Sequence, residues 1–323
     1  MAKHTARTGA ADLSQRSTFG YRVKTFFTRH WILHLMVIPA LLYFLVFKYG
    51  PMYGLIIAFK NYKGAAGGVK AIFESDWVGF RHFKTFLTST QFPRLMRNTI
   101  ELSLLRLAIC FPAPIVLAIL LNEVRIRWYK KSVQTITYMP YFLSWVVVAG
   151  LLRILVGTEG PINALLSRMG IEQIYFMAST KYFRALLIVS EVWKTAGYGT
   201  IVYLAAISSV DVELYEAAQI DGAGKMKQIL HVTLPAISEI IAIMLILQVG
   251  RIMGDNFEQI YTMYSEAVYA VADVFDTYIY RTGIIGSNFS YTTAVSLFKS
   301  LISLALILLT NKATKKLGSS GLF

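Results

Sequence analysis

Seven ionisable residues sit inside stretches that are otherwise continuous apolar sequence: Arg106, Arg153, Glu191, Lys194, Arg251, Asp255 and Lys299. Five are cations and two are anions. Charges placed this way are costly, and they persist where they face a cavity or a partner group. Spacing offers two local pairs, because Glu191 and Lys194 are three apart and Arg251 and Asp255 four apart, each on one helix face. Arg153 can snorkel toward water. Arg106 and Lys299 have no well-placed acid on their own helix, Glu101 being five residues from Arg106. The chemistry of such a set is either structural pairing or recognition of an anion, since charge-assisted hydrogen bonds are about twice as strong as neutral ones. Both readings stand. Tyr138, Tyr141, Trp145, Trp193 and Tyr198 share these stretches, where aromatic rings stack on sugar faces, pack, or anchor at the interface.

Other chemistries find no support. The five histidines (His4, His30, His34, His82, His231) form no H-E-x-x-H pair, and no Ser/His/Asp set is recognisable. No G-x-x-x-x-G-K-[ST] run is present to cradle phosphates. The single cysteine, Cys110, supplies neither a disulfide framework nor a Cys-based metal site. No metal site, chain-bound cofactor or nucleic-acid partner is expected, and a membrane-embedded enzyme is disfavoured.

The elements that carry these residues are membrane spans. Of 323 residues, 15% are charged and 55% hydrophobic, with mean hydropathy +0.52. Soluble domains carry roughly 25% charged residues. Six stretches reach the ~20 residues that a helix needs to cross hydrocarbon, at roughly 31–48, 98–121, 133–156, 183–207, 236–254 and 291–310. The expected fold class is therefore all-α, a polytopic membrane protein of six helices. The first span contains Pro39 and is expected to stop near Gly50-Pro51. A cleaved signal peptide over 20–47 is the competing view, disfavoured because no small-x-small site follows it.

Orientation follows from the basic residues flanking the spans. Lys3, Arg7, Arg16, Arg22, Lys24 and Arg29 face only Asp12 in the first 30 residues. Arg125, Arg127, Lys130 and Lys131 lie in the second-to-third loop, and Lys312, Lys315 and Lys316 near the end. All fall on one side, so both termini are expected in the cytoplasm. The expected organisation is a basic segment 1–30, a transmembrane domain 31–310 and a tail 311–323. All seven buried charges then fall in the outer half of the bilayer, against the trend of loop charge. The segments at about 49–97, 157–182 and 255–290 are extracytoplasmic. The longest of them carries WVGFRHFKTFLTSTQFPRL, a surface-lying amphipathic stretch.

The cytoplasmic loop at about 208–234 reads DVELYEAAQIDGAGKMKQILHVTLPAI. Asp211 suits an N-cap, Asp221-Gly222 a turn with glycine at positive φ, and a second helix follows from Ala223 to Pro235. Small residues at Ala217, Ala218 and Gly222 let another protein approach the backbone. By composition alone, an ordinary solvated loop between two spans is the favoured reading.

The order Glu216-Ala217-Ala218, three residues, Gly222, nine residues, Val232, one residue, Leu234-Pro235 resembles the EAA signature of binding-protein-dependent ABC importer permeases. Val232 stands where isoleucine is usual. YGPMYGLIIAFKNYK (49–63), WVGFRHF (77–83), SEVWKTAGYGTIVYLAAISSVDVELYEAAQIDGA (190–223) and NFEQIYTMYSEAVYAVADVFDTYIYRTG (256–283) are similar to the polysaccharide and oligosaccharide branch of carbohydrate importer permeases, which includes importers of alginate and pectin-derived glycans. The resemblance implies a maltose-permease-like fold in a bacterial inner membrane, a second permease subunit and an extracytoplasmic solute-binding protein. It also implies two ATPase subunits that hold ATP-Mg, so the chain itself is a transport subunit without catalytic residues. Glu216, Ala217, Ala218, Asp221 and Gly222 would contact the ATPase. With the excess of buried cations, an acidic, uronate-bearing glycan is the expected substrate. A neutral oligosaccharide is the alternative, and a secondary transporter is disfavoured for want of inverted repeats.

Overall fold

The computed structural model describes residues 31–62, 68–254 and 256–316. The basic segment 1–30, Asp255 and the last seven residues of the expected tail lie outside the described residues. Two compact units are distinguished, Met1–Ile56 and Ile57–Phe323. In the first unit, α1 (Trp31–Phe44) carries Pro39 and continues as a π turn, Leu45–Tyr49. The expected stop at Gly50-Pro51 does not occur, and helical backbone runs on to Phe59. Pro51 lies inside this continuous helical stretch directly after the π turn, and its missing N–H leaves one bond to the preceding turn unmade.

The second unit is built of helices, with one isolated antiparallel bridge, Lys60 to Trp77, among the described residues. The second span begins earlier than expected and is continuous through Gln91–Glu123. It comprises α2 (Gln91–Leu105), a π turn over Arg106–Cys110, and α3 (Pro112–Glu123). Pro112 and Pro114 cannot donate to the preceding turn, and the wider turn forms beside them, with Phe111 N–H donating to the Arg106 carbonyl at 3.0 Å.

The expected third span, 133–156, is not one helix. α4 (Arg127–Tyr138) gives way to a 3-10 turn at Met139–Phe142, and α5 (Trp145–Val156) starts afresh. Pro140 removes a donor, Leu143 and Ser144 are extended, and Ser144 Oγ accepts from Val147 N–H at 3.3 Å as a new N-cap. A hydropathy window does not register such a break.

α6 (Phe183–Ser208) has 26 residues, about 39 Å of helix. α7 (Val212–Ile220) and the 64° bend between Lys225–Ala236 and α8 (Ser238–Arg251) follow. The 255–290 segment is folded onto the bundle through α9 (Phe257–Met263) and α10 (Phe275–Ile279), and α11 (Phe289–Lys316) runs six residues into the expected tail. Among the described residues, four helical stretches are long and apolar enough to span a membrane, and a fifth if the bent pair is one span. α6 has the length but carries Arg184, Glu191 and Lys194, which lowers its hydropathy.

Three apolar clusters hold the unit together. Phe183 and Leu187 pack on Ile260, Met263 and Val274. Phe86, Phe275 and Tyr291 meet around Val295. Ile115, Ala118 and Leu121 pack on Tyr203, Leu204 and Ile207. α4 and α6 touch at backbone distance. A Cβ at Gly197 would lie 2.0 Å from the Thr137 carbonyl oxygen, so only glycine fits there, as in other close helix crossings of membrane proteins.

Candidate functional site

The break between α4 and α5 and the charged face of α6 open a cavity of about 670 Å³. Tyr141, Leu143, Ser144 and Trp145 form one wall. Glu191, Lys194, Thr195 and Tyr198 of α6 form another, and Gln248 and Arg251 of α8 with Asn256 and Glu258 complete it. Six of the twelve residues expected along a substrate pathway thus come together: Tyr141, Trp145, Glu191, Lys194, Tyr198 and Arg251.

Lys194 is 7% exposed and its ammonium donates to the Tyr141 carbonyl at 2.8 Å. That carbonyl belongs to the non-helical linker, where the backbone needs outside partners. The same ammonium lies 5.2 Å from the Tyr141 ring and 5.4 Å from the Trp145 ring, within cation–π range. Tyr141 and Tyr198 stack face to face, with centroids 3.9 Å apart and planes at 6°. The wall therefore offers a cation framed by aromatic faces, a combination suited to a sugar ring that bears a carboxylate.

Glu191 does not pair with Lys194 as local spacing suggested. Its carboxylate accepts from Arg106 Nε at 2.6 Å, and both side chains are buried. Arg106 Nη2 donates to Gln259 Oε1 at 2.8 Å, and Gln259 Nε2 donates to the Leu187 carbonyl at 2.7 Å and to Ser190 Oγ at 3.0 Å. With its amide oriented to match, Asn256 also accepts from Arg106 at 3.1 Å. Losing one partner of such a buried pair costs about 3–5 kcal/mol.

The remaining expected residues are elsewhere. Arg106 lies behind the cavity wall. Arg153 donates to the Thr262 carbonyl at 2.9 Å. Lys299 is ion-paired with Asp276 beside a separate, open depression of about 350 Å³. Burial pushes the Asp276 carboxyl above its ordinary value, while the Lys299 ammonium opposes that shift. Tyr138 and Trp193 do not line the cavity, and Asp255 is outside the described residues. Sequence reasoning missed Gln259, Asn256 and Glu258, all in a segment it assigned to an external loop. The N-F-E-Q run that carries them was visible.

In the loop that follows α6, Asp211 caps α7 by accepting from Glu213 N–H at 3.1 Å, and Gly222 adopts φ +77°. Glu216, Ala217, Asp221 and Gly222 are exposed and Ala218 is half-buried. Val212, Leu214, Ile220 and Met226 are also exposed, Ile220 at 87%. Tyr215 Oη bonds Thr233 Oγ1 at 3.0 Å and Lys225 pairs with Glu123 at 3.0 Å. These contacts hold the loop to the bundle and leave an apolar face outward.

A helical membrane unit with a polar, aromatic-walled cavity and a capped loop helix carrying Glu216-Ala217-Ala218 and Gly222 defines a transport subunit. Residues 114–318 match the family described as binding-protein-dependent transport system inner membrane component, and the chain belongs to that family. It is a permease of the ABC importer type, a transport component and not an enzyme. It is 46% identical over 292 residues to the polygalacturonan/rhamnogalacturonan transport system permease protein YteP of Bacillus subtilis (strain 168), covering 90% of each chain. It is equally 46% identical to Protein LplB of the same organism, covering 90% of this chain and 91% of that one. Among solved structures it resembles a chain of a bacterial alginate ABC transporter in complex with an alginate pentasaccharide-bound periplasmic protein. That match has a TM-score of 0.86 at 40% identity and covers 93% of this chain and all of the other.

Proposed function

We propose that this permease carries an acidic, uronate-bearing oligosaccharide across the bacterial inner membrane, with pectin-type and alginate-type glycans the leading substrates. The observation that carries the proposal is Lys194, held between the Tyr141 and Trp145 rings on the cavity wall. A carboxylate there meets a desolvated ammonium while the sugar ring meets the Tyr141–Tyr198 stack. Two relatives, named for polygalacturonan and for alginate, handle substrates of that chemistry.

The subunit works with a second permease chain, two ATPase subunits that bind ATP-Mg and an extracytoplasmic solute-binding protein. α6 is the fourth of six spans, both termini are cytoplasmic, and the exposed loop helix α7 enters the ATPase through Glu216, Ala217, Ala218, Asp221 and Gly222. Co-expression with the partner subunits tests this arrangement. An ATPase should co-purify, and its activity should rise when the glycan-loaded binding protein is added. Purification without any ATPase would refute it.

A further inference from the structure

The two ends of the cavity differ in kind. Glu191 and Lys194 come first along α6, and the wall continues to Tyr203 near the α7 end. Beyond Tyr198 that wall carries no charge: Val202 and Tyr203 of α6 face Pro114 of α3 and Met244 and Gln248 of α8. Met244 packs on the cluster around Tyr203, and Gln248 stands about one helical turn further along α8. Tyr203 is 2% exposed, with its ring fixed among Ile115, Leu121 and Ile207. Neither its hydroxyl nor the Gln248 amide makes a hydrogen bond among the described residues. Tyr203 Oη is nevertheless not one of the fully buried atoms that lack a partner, so the little surface this residue keeps includes its hydroxyl, open to the cavity. A buried tyrosine hydroxyl ordinarily finds a partner, and here the space for one is the cavity itself.

We propose that Tyr203 and Gln248 form an inner subsite that binds the hydroxyl groups of a second sugar ring, further along the glycan whose carboxylate meets Lys194. The tyrosine hydroxyl donates one hydrogen bond and accepts others, and the glutamine amide both donates and accepts, which suits the neighbouring hydroxyls of a sugar ring. The Tyr203 ring is already held by packing, so little ordering cost attaches to the contact. Lys194 and Tyr203 are nine positions apart on α6, about 13 Å of rise. One sugar ring does not bridge that distance, and only an oligosaccharide occupies both ends. The cavity therefore reads chain length at its inner end and charge at Lys194. The inference rests on the oligosaccharide-importer function proposed above.

The test is equilibrium binding of labelled glycans to the purified complex in detergent. The probes are a galacturonate tetramer, the same tetramer with its carboxylates methyl-esterified, and galacturonic acid itself. Tyr203→Phe removes one oxygen and keeps the packed ring. It should raise Kd for the tetramer by about 3- to 10-fold, the value of one neutral hydrogen bond. The ester should lose affinity by the same factor, because the contact is to hydroxyl groups, and the monomer, held at Lys194, should lose none. Lys194→Gln should show the contrasting pattern, weakening the two acids and sparing the ester. An assembled Tyr203→Phe complex with unchanged tetramer affinity overturns the proposal, since the hydroxyl then meets only water. Equal loss for monomer and tetramer, or loss for the acid and not the ester, also overturns it. If Tyr203→Phe does not assemble, Gln248→Met decides by the same three probes. A wild type that binds acid and ester alike refutes the acidic-glycan function, and the Tyr203→Phe ratio still decides the inner subsite.

Discussion

Substituting Gly197 by alanine places a methyl carbon 2.0 Å from the Thr137 carbonyl oxygen and 3.0 Å from Thr137 Cβ. Carbon–oxygen contacts settle at about 3.3–3.6 Å, so α4 and α6 must part by roughly 1.3–1.6 Å. The atom in the way is backbone and cannot rotate aside. Overpacking of this kind costs about 1–3 kcal/mol and occasionally more, and Gly197→Ala belongs at the upper end. The displacement also reaches the cavity, since Tyr198 is the next residue and its stack on Tyr141 at 3.9 Å depends on the same helix spacing. Two other glycines supply the scale. A Cβ at Gly199 would meet Pro114 Cβ at 3.1 Å, whereas at Gly150 nothing lies within 4 Å. Gly150→Ala should stabilise by about 0.4–1 kcal/mol through the unfolded chain. Thermal unfolding of the purified assembly in detergent should therefore rank the variants Gly150→Ala, wild type, Gly199→Ala, Gly197→Ala from most to least stable, and transport should be lost only in the last. A Gly197→Ala protein that unfolds with Gly150→Ala would refute the close crossing.

Three further outcomes follow from the same geometry. Lys194→Gln removes the cavity cation framed by Tyr141 and Trp145, and initial uptake of an acidic glycan should fall by about 10- to 100-fold, the value of one charged hydrogen bond at about 1.5–3 kcal/mol; unchanged uptake would exclude that contact. Gly222→Val puts a β-branched residue at φ +77° in the exposed loop, and Glu216→Lys reverses a charge beside it. Both should leave the subunit in the membrane and abolish transport-coupled ATP hydrolysis, and normal stimulation in both would remove the loop from the ATPase contact. Reporter fusions after residue 130 and at the C-terminus should read cytoplasmic and a fusion near residue 66 external; a cytoplasmic signal at 66 would overturn the topology.

Local rules made the loop at 208–234 legible. Asp211 caps its helix and Gly222 takes a positive φ because both effects act within a few residues. The last span was legible for a similar reason, as an unbroken apolar run. The third was misjudged because Pro140 and Ser144 interrupt a stretch that remains apolar throughout, and hydropathy averages over them. The charges were legible as a set, but Glu191 pairs with Arg106 and not with Lys194 as its spacing suggested. Arg106 finds Glu191 85 positions away, and Lys299 finds Asp276 23 away on another element. Spacing along one helix cannot reveal partners that only helix packing brings together. For the same reason Gln259 escaped notice, although it holds the buried arginine in place.

The central claim is that the cavity beside Lys194 passes a carboxylate-bearing sugar. ATP-driven uptake into proteoliposomes of one galacturonate oligomer, measured beside the same oligomer with its carboxylates methyl-esterified, tests it most directly, because chain length and sugar are unchanged and only charge is removed. The acid should accumulate and the ester should enter at least tenfold more slowly. Equal uptake of the two, or preference for the ester, would contradict the account.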